Sequence, residues 1–290
     1  MKVSVLQAIN LFSARLILNN DKFLVPFNKA YLPQIMAHSS DRDFPVSLGQ
    51  HMREIFRSYD AGDRSQSSVS KAGIAWELLC ALYLTACFKG TDAAAVHRSH
   101  ARLLLPSSVR EALRVTISGK KLVPDNDIIV LVWRGEQVPE IKVDNWKRVP
   151  KKRIDGALND PSKIQLFAIS CKTTFNDQIN AALFWDMIYR RYKQDHARIA
   201  VGGRAQLSQF YDGQLRTALF TVPSQNKVDF NATSAPVVKG QIMSGGVYWG
   251  RPTVDFIESI DRFFPTWGIP TISSKWSEES QEATMHPWPF

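Results

Sequence analysis

Two kinds of hydrophobic pattern alternate along the chain. Apolar residues recur every three to four positions over residues 4–19, which predicts an amphipathic helix. Continuous apolar runs over residues 127–133 and 164–171 predict buried strands, because runs of this length are short for buried helices. The same criteria predict helices over 72–88, 107–113, 177–196 and 253–264, and strands in the segments ARIAVG and TALFTV.

The order of these elements predicts the fold class. Strands that alternate with helices indicate an α/β or α+β protein, with a central mixed sheet flanked by helices. A chain of 290 residues can form one large domain or two small ones, and we expect a single domain over residues 1–290. Prolines and the polar run DRSQSSVS interrupt residues 20–70, so residues 1–65 are expected to form a helical N-terminal subdomain.

Charge and composition narrow the class of protein. The formal net charge is +9 and the pI is near 9.5, which favours a polyanionic partner, with nucleic acid first. A basic protein without such a partner is the alternative. The three cysteines fit a reducing compartment, and the N-terminus lacks a signal-peptide pattern. The most apolar segment, 74–88, is too short for a membrane span, so we expect a cytoplasmic protein with no membrane partner.

Glu77 is the first candidate functional residue. It interrupts the helix predicted over 72–88, which is apolar on nearly all sides and is therefore expected to be buried. A buried carboxylate is unfavourable unless it is paired or functional. A structural ion pair is the alternative to a functional role.

A second candidate site lies where an acidic turn leads into an apolar strand. The segment VPDNDIIVLV places Asp125 and Asp127 immediately before the strand predicted over 127–133. The end of a strand can direct a carboxylate toward a metal ion. Aspartate after proline is also ordinary turn chemistry, so this segment carries little weight by itself.

Lys172, the third candidate, ends the strand predicted over 164–171. Its aliphatic stem would pack while its ammonium group reaches a cleft, where it could orient a water molecule or stabilise charge on a phosphate. A lysine that simply extends to solvent is the commoner arrangement.

Together these three features resemble the metal-dependent phosphodiesterases of the PD-(D/E)xK superfamily. The usual acid two residues before the lysine is replaced here by Ser170, as in the NgoMIV-like restriction endonucleases of the CCGG-cutting family. In that group the missing carboxylate comes from the next helix, fourteen residues after the lysine, and that position is Asp186 here. The segments SCK, residues 170–172, and GIAWELLC, which contains Glu77, also resemble that group. The resemblance lies within residues 73–186.

The resemblance implies a restriction-endonuclease-like fold and Mg²⁺-dependent hydrolysis of DNA. It implies that Asp127, Asp186 and the backbone carbonyl of Cys171 hold Mg²⁺. Glu77 would be a supporting carboxylate near the serine, and Lys172 would assist the attacking water.

Two departures from the family pattern concern the metal site. The relocated acid is usually glutamate, so the shorter Asp186 requires a closer helix or a different metal geometry. The turn before the strand is two residues longer than in the family, so Asp125 adjoins the proline and Asp127 adjoins the strand. We favour Asp127 as the first metal ligand because it contacts the strand.

Candidate DNA contacts lie at the start of the helix after Lys172 and in two basic segments. The arginines with which the CCGG cutters contact bases are absent, so we do not expect CCGG specificity. Polar side chains at the helix start can contact base edges, and helix capping by Asp177 is the alternative. The basic side chains can contact phosphates, or lie in a solvated loop. The candidates are Asn176, Asp177, Gln178, Asn180, Lys147, Arg148, Lys151, Lys152, Arg153, Arg190 and Arg191.

The resemblance implies a type II restriction endonuclease that cuts double-stranded DNA and leaves 5′-phosphate ends. A palindromic site would imply a homodimer, with a homotetramer as the alternative, and a cognate DNA methyltransferase is expected. The rivals are a structure-specific repair or recombination nuclease, and a basic DNA-binding protein whose acids form ion pairs. Zinc at His97 and His100 is not expected, because no third ligand has suitable spacing.

Overall fold

The computed structural model describes residues 1–37, 48–58, 66–122, 124, 126–173, 185, 188–189, 199–213, 215–221 and 247–249. The helices are α1 (Val5–Leu18), α2 (Asp21–Pro26), a π-helix (Phe27–Tyr31), α3 (Leu32–Ala37), α4 (Leu48–Arg57), α5 (Gln66–Cys87), α6 (Ala101–Leu104), α7 (Ser107–Ala112) and α8 (Lys151–Ala157). Short 3₁₀-helices span Arg98–His100, Pro161–Lys163, Leu207–Gln209 and Tyr211–Gly213. The strands are β1 (Lys2–Ser4), β2 (Ala93–His97), β3 (Val115–Ile117), β4 (Lys120–Leu122), β5 (Ile128–Trp133), β6 (Glu140–Lys142), β7 (Ile164–Lys172), β8 (Ile199–Val201), β9 (Leu215–Thr221) and β10 (Val247–Trp249).

A five-stranded mixed sheet forms the centre of the fold, in the order β10–β9–β7–β5–β2. β2, β5 and β7 are antiparallel neighbours, whereas β7, β9 and β10 run parallel. Smaller antiparallel pairings join β1 to β6 and β4 to β3 to β8. The predicted class, a central mixed sheet flanked by helices, is confirmed.

Side chains on the two faces of the sheet enter two separate apolar cores, because successive residues of a strand point to opposite sides. On β7, Phe167 and Ile169 pack with α5 and with the helices of residues 21–57. Leu166 and Ala168 pack on the other face with α1, α7 and α8. The N-terminal helices thus share a core with α5 and the central sheet. No helix among the described residues has both the length and the apolarity needed to cross a membrane.

The helix α1 protects the open edge of the sheet. Edge strands carry unpaired backbone groups that invite association with other chains. The Asn10 side chain donates to the Ala93 carbonyl at 2.9 Å and accepts from the Ala95 N–H at 3.0 Å. This single buried amide therefore satisfies backbone groups of β2 and fixes α1 against that strand.

Most predicted elements agree with the structure within a few residues. Helix 4–19 corresponds to α1, and the strand predicted over 164–171 corresponds to β7. Helix 72–88 corresponds to α5, which begins earlier, at Gln66, so part of the polar run predicted as a loop is helical. The basic segment, for which a solvated loop was the alternative to phosphate contact, contains α8. The helix predicted over 253–264 lies outside the described residues.

Candidate active site

Two neighbouring antiparallel strands bring the start of β5 beside the end of β7. Ile128 pairs with Ile169, so Asp127, one residue earlier, lies beside Ser170, one residue later. The backbone N–H of Asp127 donates to the Ile169 carbonyl at 2.9 Å. The strand register therefore places Asp127 beside Ser170, the residue that replaces the usual acid two positions before the lysine.

Asp127 has a fixed orientation at this end of the sheet. Its exposed fraction is 1%, and its Oδ2 accepts a hydrogen bond from the backbone N–H of Cys171 at 2.7 Å. Its Oδ1 lies 3.2 Å from the guanidinium group of Arg98. Asp125 lies outside the described residues, so the preference for Asp127 as first ligand stays a prediction.

Lys172 and Ser170 share one face of β7, because they are two residues apart in a strand. Asp127 is two residues before Ile129 of β5, so both lie on the same side of the sheet. Ile129 packs in the core on the face that Ser170 and Lys172 share. Ser170 is buried, whereas Lys172 is partly exposed. The lysine thus lies at the partly exposed end of a buried strand, two residues after the serine that adjoins Asp127.

Glu77 is a buried and paired carboxylate in α5. Its neighbour Trp76 is fully buried and donates from Nε1 to the Phe220 carbonyl of β9 at 3.3 Å, which anchors this part of α5 to the sheet. The Glu77 side chain is 11% exposed and lies 3.2 Å from both His97 Nε2 and Arg98. The ion pair that the sequence left as an alternative is therefore present.

Arg98 is the residue of the site that the sequence analysis did not identify. It follows β2 directly, and its backbone N–H donates to the Asp127 carbonyl at 2.9 Å. Its guanidinium group contacts the carboxylates of both Glu77 and Asp127. The available signal was an arginine immediately after the short apolar segment AAAVH, but that segment is too rich in alanine to predict a strand.

The tautomer of His97 follows from its hydrogen bonds. Its Nδ1 accepts from the backbone N–H of Ser99 at 3.3 Å, so the ring proton of the neutral form lies on Nε2. That proton is donated to Glu77 Oε2 at 3.2 Å. His97 therefore orients Glu77 independently of Arg98.

Acid is expected to destabilise the fold through His100. Burial, and then the neighbouring His97, lower the pKa of His100 from 6.5 to about 4. The unfolded chain takes up this proton near pH 6.5, before the folded protein does, so stability is full above that pH and declines toward pH 4. Urea unfolding at several pH values should show this decline, and His100→Gln should reduce it. An equal decline in both proteins would contradict the assignment to His100.

Two buried thiols lie behind the carboxylates. Burial raises the pKa of Cys80 and raises that of Cys171 well above its usual value, and the charges of Glu77 and Asp127 add to both shifts. The two thiols are also hydrogen-bonded to each other. Both thiols therefore stay protonated at neutral pH in the metal-free protein. The metal role that the resemblance implies belongs to the backbone carbonyl of Cys171.

The predicted residues of the helix after β7 lie outside the described residues. Three residues of that segment, Trp185, Ile188 and Tyr189, are described and helical. The Tyr189 hydroxyl accepts from Asn126 Nδ2 at 2.9 Å and donates to the Leu113 carbonyl at 2.8 Å. The helix is thus bonded to the residue before the predicted aspartate. The predicted site residues that lie outside the described residues are Asp186, Asn176, Asp177, Gln178, Asn180, Arg190 and Arg191.

The donor atoms of the site suit Mg²⁺, which prefers oxygen ligands and often takes one or two protein carboxylates plus substrate phosphate. Glu77 and Asp127 already converge on one positive charge, that of Arg98. No cluster of three or more His, Cys, Asp or Glu in the described part of the chain could hold a metal ion. The two carboxylates would therefore provide part of a coordination shell, with Asp186 as the further ligand that the resemblance implies.

The basic segment between β6 and β7 lines an open groove of about 580 Å³. Arg148 and Lys152 contribute exposed side chains to it. Lys151 and Arg153 also line the groove, but each has internal partners: the Leu105 carbonyl and Asp155 for the lysine, and the Lys142 carbonyl and Asp144 for the arginine. Two of the predicted phosphate contacts, Arg148 and Lys152, are therefore exposed in the groove, whereas Lys151 and Arg153 also bond within the protein.

No protein-family model matches the chain, and no curated protein matches it. The function must therefore be inferred from the side chains and their geometry.

Proposed function

We propose that the protein is a type II restriction endonuclease, which hydrolyses phosphodiester bonds in double-stranded DNA at a specific sequence with Mg²⁺. The observation that best supports this is the meeting of Asp127, Ser170 and Lys172 at one end of two paired strands. A buried carboxylate beside a partly exposed lysine provides a metal ligand and a cation for the phosphate. The serine between them agrees with the group that the sequence resembles.

The residues would have distinct tasks in this reaction. When bound by Asp127, and by Asp186 and the Cys171 carbonyl as the resemblance implies, Mg²⁺ would supply a Lewis acid and an activated water. Lys172 would hold the attacking water and stabilise negative charge on the phosphate. The water oxygen bonds to phosphorus as the bond to the 3′ oxygen breaks. The 3′ oxygen takes up a proton, so the products carry a 5′-phosphate and a 3′-hydroxyl.

The proposal carries expectations about partners. A palindromic recognition sequence would be cut by a homodimer, because the symmetry of the protein matches that of the site, and a homotetramer is the alternative. A DNA methyltransferase of the same specificity would protect the DNA of the cell. The enzyme would act in the cytoplasm, where that DNA lies.

A digest of long, unmethylated duplex DNA with Mg²⁺ tests the proposal. Discrete fragments that disappear when EDTA is added are the expected result, and their ends give the recognition sequence and the position of the cut. A structure-specific repair nuclease would leave intact linear duplex uncut. Uncut DNA on a substrate long and varied enough to contain the site would overturn the proposal.

A non-catalytic DNA-binding protein is the second candidate, and one observation favours it. Arg98 neutralises both Glu77 and Asp127, as it would in a purely structural ion-pair network. Tight DNA binding in a gel-shift assay, with no cleavage under any metal condition, would support this candidate.

Charge reversal in the basic groove is expected to separate DNA binding from stability. The double variant Arg148→Glu with Lys152→Glu should weaken DNA binding at least about tenfold. It should also reduce the slope of log affinity against log salt concentration by about two, since about two phosphate contacts are lost. Lys151→Met should instead lower the free energy of unfolding by about 1 kcal/mol, because Lys151 is bonded to Leu105 and Asp155. Fluorescence anisotropy and urea unfolding measure the two effects. Equal DNA affinities for the parent and the double variant would exclude the groove as a DNA contact.

A further inference from the structure

One guanidinium group bridges two carboxylates that come from different elements. Arg98 lies 3.2 Å from Glu77 Oε2 in α5 and 3.2 Å from Asp127 Oδ1 at the start of β5. A further hydrogen bond of 3.3 Å reaches Glu77 Oε1. The two acidic side chains are 11% and 1% exposed, whereas the arginine side chain is 44% exposed. A partly exposed cation therefore neutralises two buried anions from the solvent side.

The bridge solves an electrostatic problem of the metal-free protein. Two carboxylates that converge in a buried site repel each other, and each is strongly unfavourable without a counter-charge. The backbone of Arg98 is held by its N–H bond to the Asp127 carbonyl, but its long side chain leaves the core on the exposed side. The arginine can therefore reach the carboxylates or turn away while its backbone stays in place.

A divalent cation at this site would need the same oxygen atom. Asp127 Oδ2 is engaged by the Cys171 N–H, so Oδ1, which now faces Arg98, is the oxygen directed to the site. A metal ion and a guanidinium group cannot share it at close range, because their charges repel. Glu77 would keep His97 as a partner after the arginine leaves.

We propose that Arg98 takes the place of the divalent cation in the metal-free protein and is displaced from Asp127 when that cation binds. The inference rests on the proposed function and concerns the control of the same site. A metal that must displace the arginine has a reduced apparent affinity. The factor by which it is reduced is the fraction of molecules in which the arginine has already left Asp127. The released guanidinium group, on the solvent side of the site, is then available to a DNA phosphate.

Metal binding without DNA tests the proposal, with Mn²⁺ as the probe and isothermal titration calorimetry as the measurement. The variant Arg98→Gln removes the competing charge, and we expect it to bind Mn²⁺ about tenfold more tightly than the parent. Its melting temperature without metal should fall, and saturating Mn²⁺ should remove most of that difference. Arg102→Gln, at an exposed arginine of α6, loses the same charge and should match the parent.

The outcomes separate this inference from the proposed function. Equal or weaker Mn²⁺ binding by Arg98→Gln would overturn the competition, while Mn²⁺ binding by the parent that Asp127→Asn abolishes would leave the nuclease proposal standing. No such binding by the parent would count against both. If Arg98→Gln does not fold without metal, Arg98→Lys supplies the test. It keeps a charge that engages fewer oxygens at once, so its Mn²⁺ affinity should exceed that of the parent, and an unchanged affinity would overturn the proposal.

Discussion

Replacing Lys172 by alanine is expected to slow DNA cleavage about 10²- to 10³-fold while the protein stays folded. Lys172 carries the one ammonium group of β7, and the proposed function places it at the scissile phosphate. Loss of one such stabilising group typically lowers a rate about 10²- to 10³-fold. The rest of β7 is buried, whereas Lys172 is partly exposed, so its truncation removes little core packing. Initial rates of cleavage of one DNA fragment with Mg²⁺, beside urea unfolding curves, measure the two effects.

Lys163→Ala is the matched control, because Lys163 precedes β7 at the opposite end of the sheet. Its side chain is 52% exposed and, among the described residues, forms a surface ion pair of 3.6 Å with Asp160. Its replacement should change the cleavage rate less than about twofold, since exposed pairs contribute little. Cleavage at the parent rate by Lys172→Ala would remove the lysine from the chemistry and with it the main support for the nuclease proposal.

The placement of Asp127 at the start of one buried strand and of Lys172 at the end of another could be predicted because it depends on local patterns. Each residue adjoins a run of apolar residues, and both runs are buried strands of the expected length. Adjacent antiparallel strands then bring the start of one beside the end of the other. The burial of Glu77 could be predicted in the same way, from a helix that is apolar on nearly all sides.

The partners of Glu77 could not be predicted, because they depend on tertiary register. β2 consists mainly of alanine, whose strand propensity is low, and it becomes a strand only through pairing with β5 and cover from α1. Its end then places His97 and Arg98 against α5. The internal partners of the basic segment were equally unpredictable. The pattern of charge does not show that Lys151 bonds to Leu105, between α6 and α7, and to Asp155 in α8.

Asp127→Asn should reduce cleavage by at least about 10³-fold with a modest loss of stability. Asparagine keeps an oxygen that can accept from the Cys171 N–H, now at 2.7 Å from Asp127, but it lacks the charge that Mg²⁺ requires. A 10³-fold lower rate corresponds to about 4 kcal/mol of lost transition-state stabilisation, which is the size of the contribution expected from the metal. Asp127→Ala should be as inactive and less stable than the asparagine variant by about 1–3 kcal/mol, because the buried N–H loses its acceptor. Cleavage rates and urea unfolding distinguish the two variants.

Asp92→Asn is the control for the loss of an acid before a strand. Asp92 precedes β2 as Asp127 precedes β5, but it lies at the other end of the sheet and its side chain is exposed. Its replacement should leave cleavage unchanged. If Asp127→Asn cuts DNA at the parent rate, Asp127 is not the metal ligand. If the parent binds DNA without cutting it and Asp127→Asn changes only stability, the carboxylates serve as an ion-pair network that holds α5, β2 and β5 together.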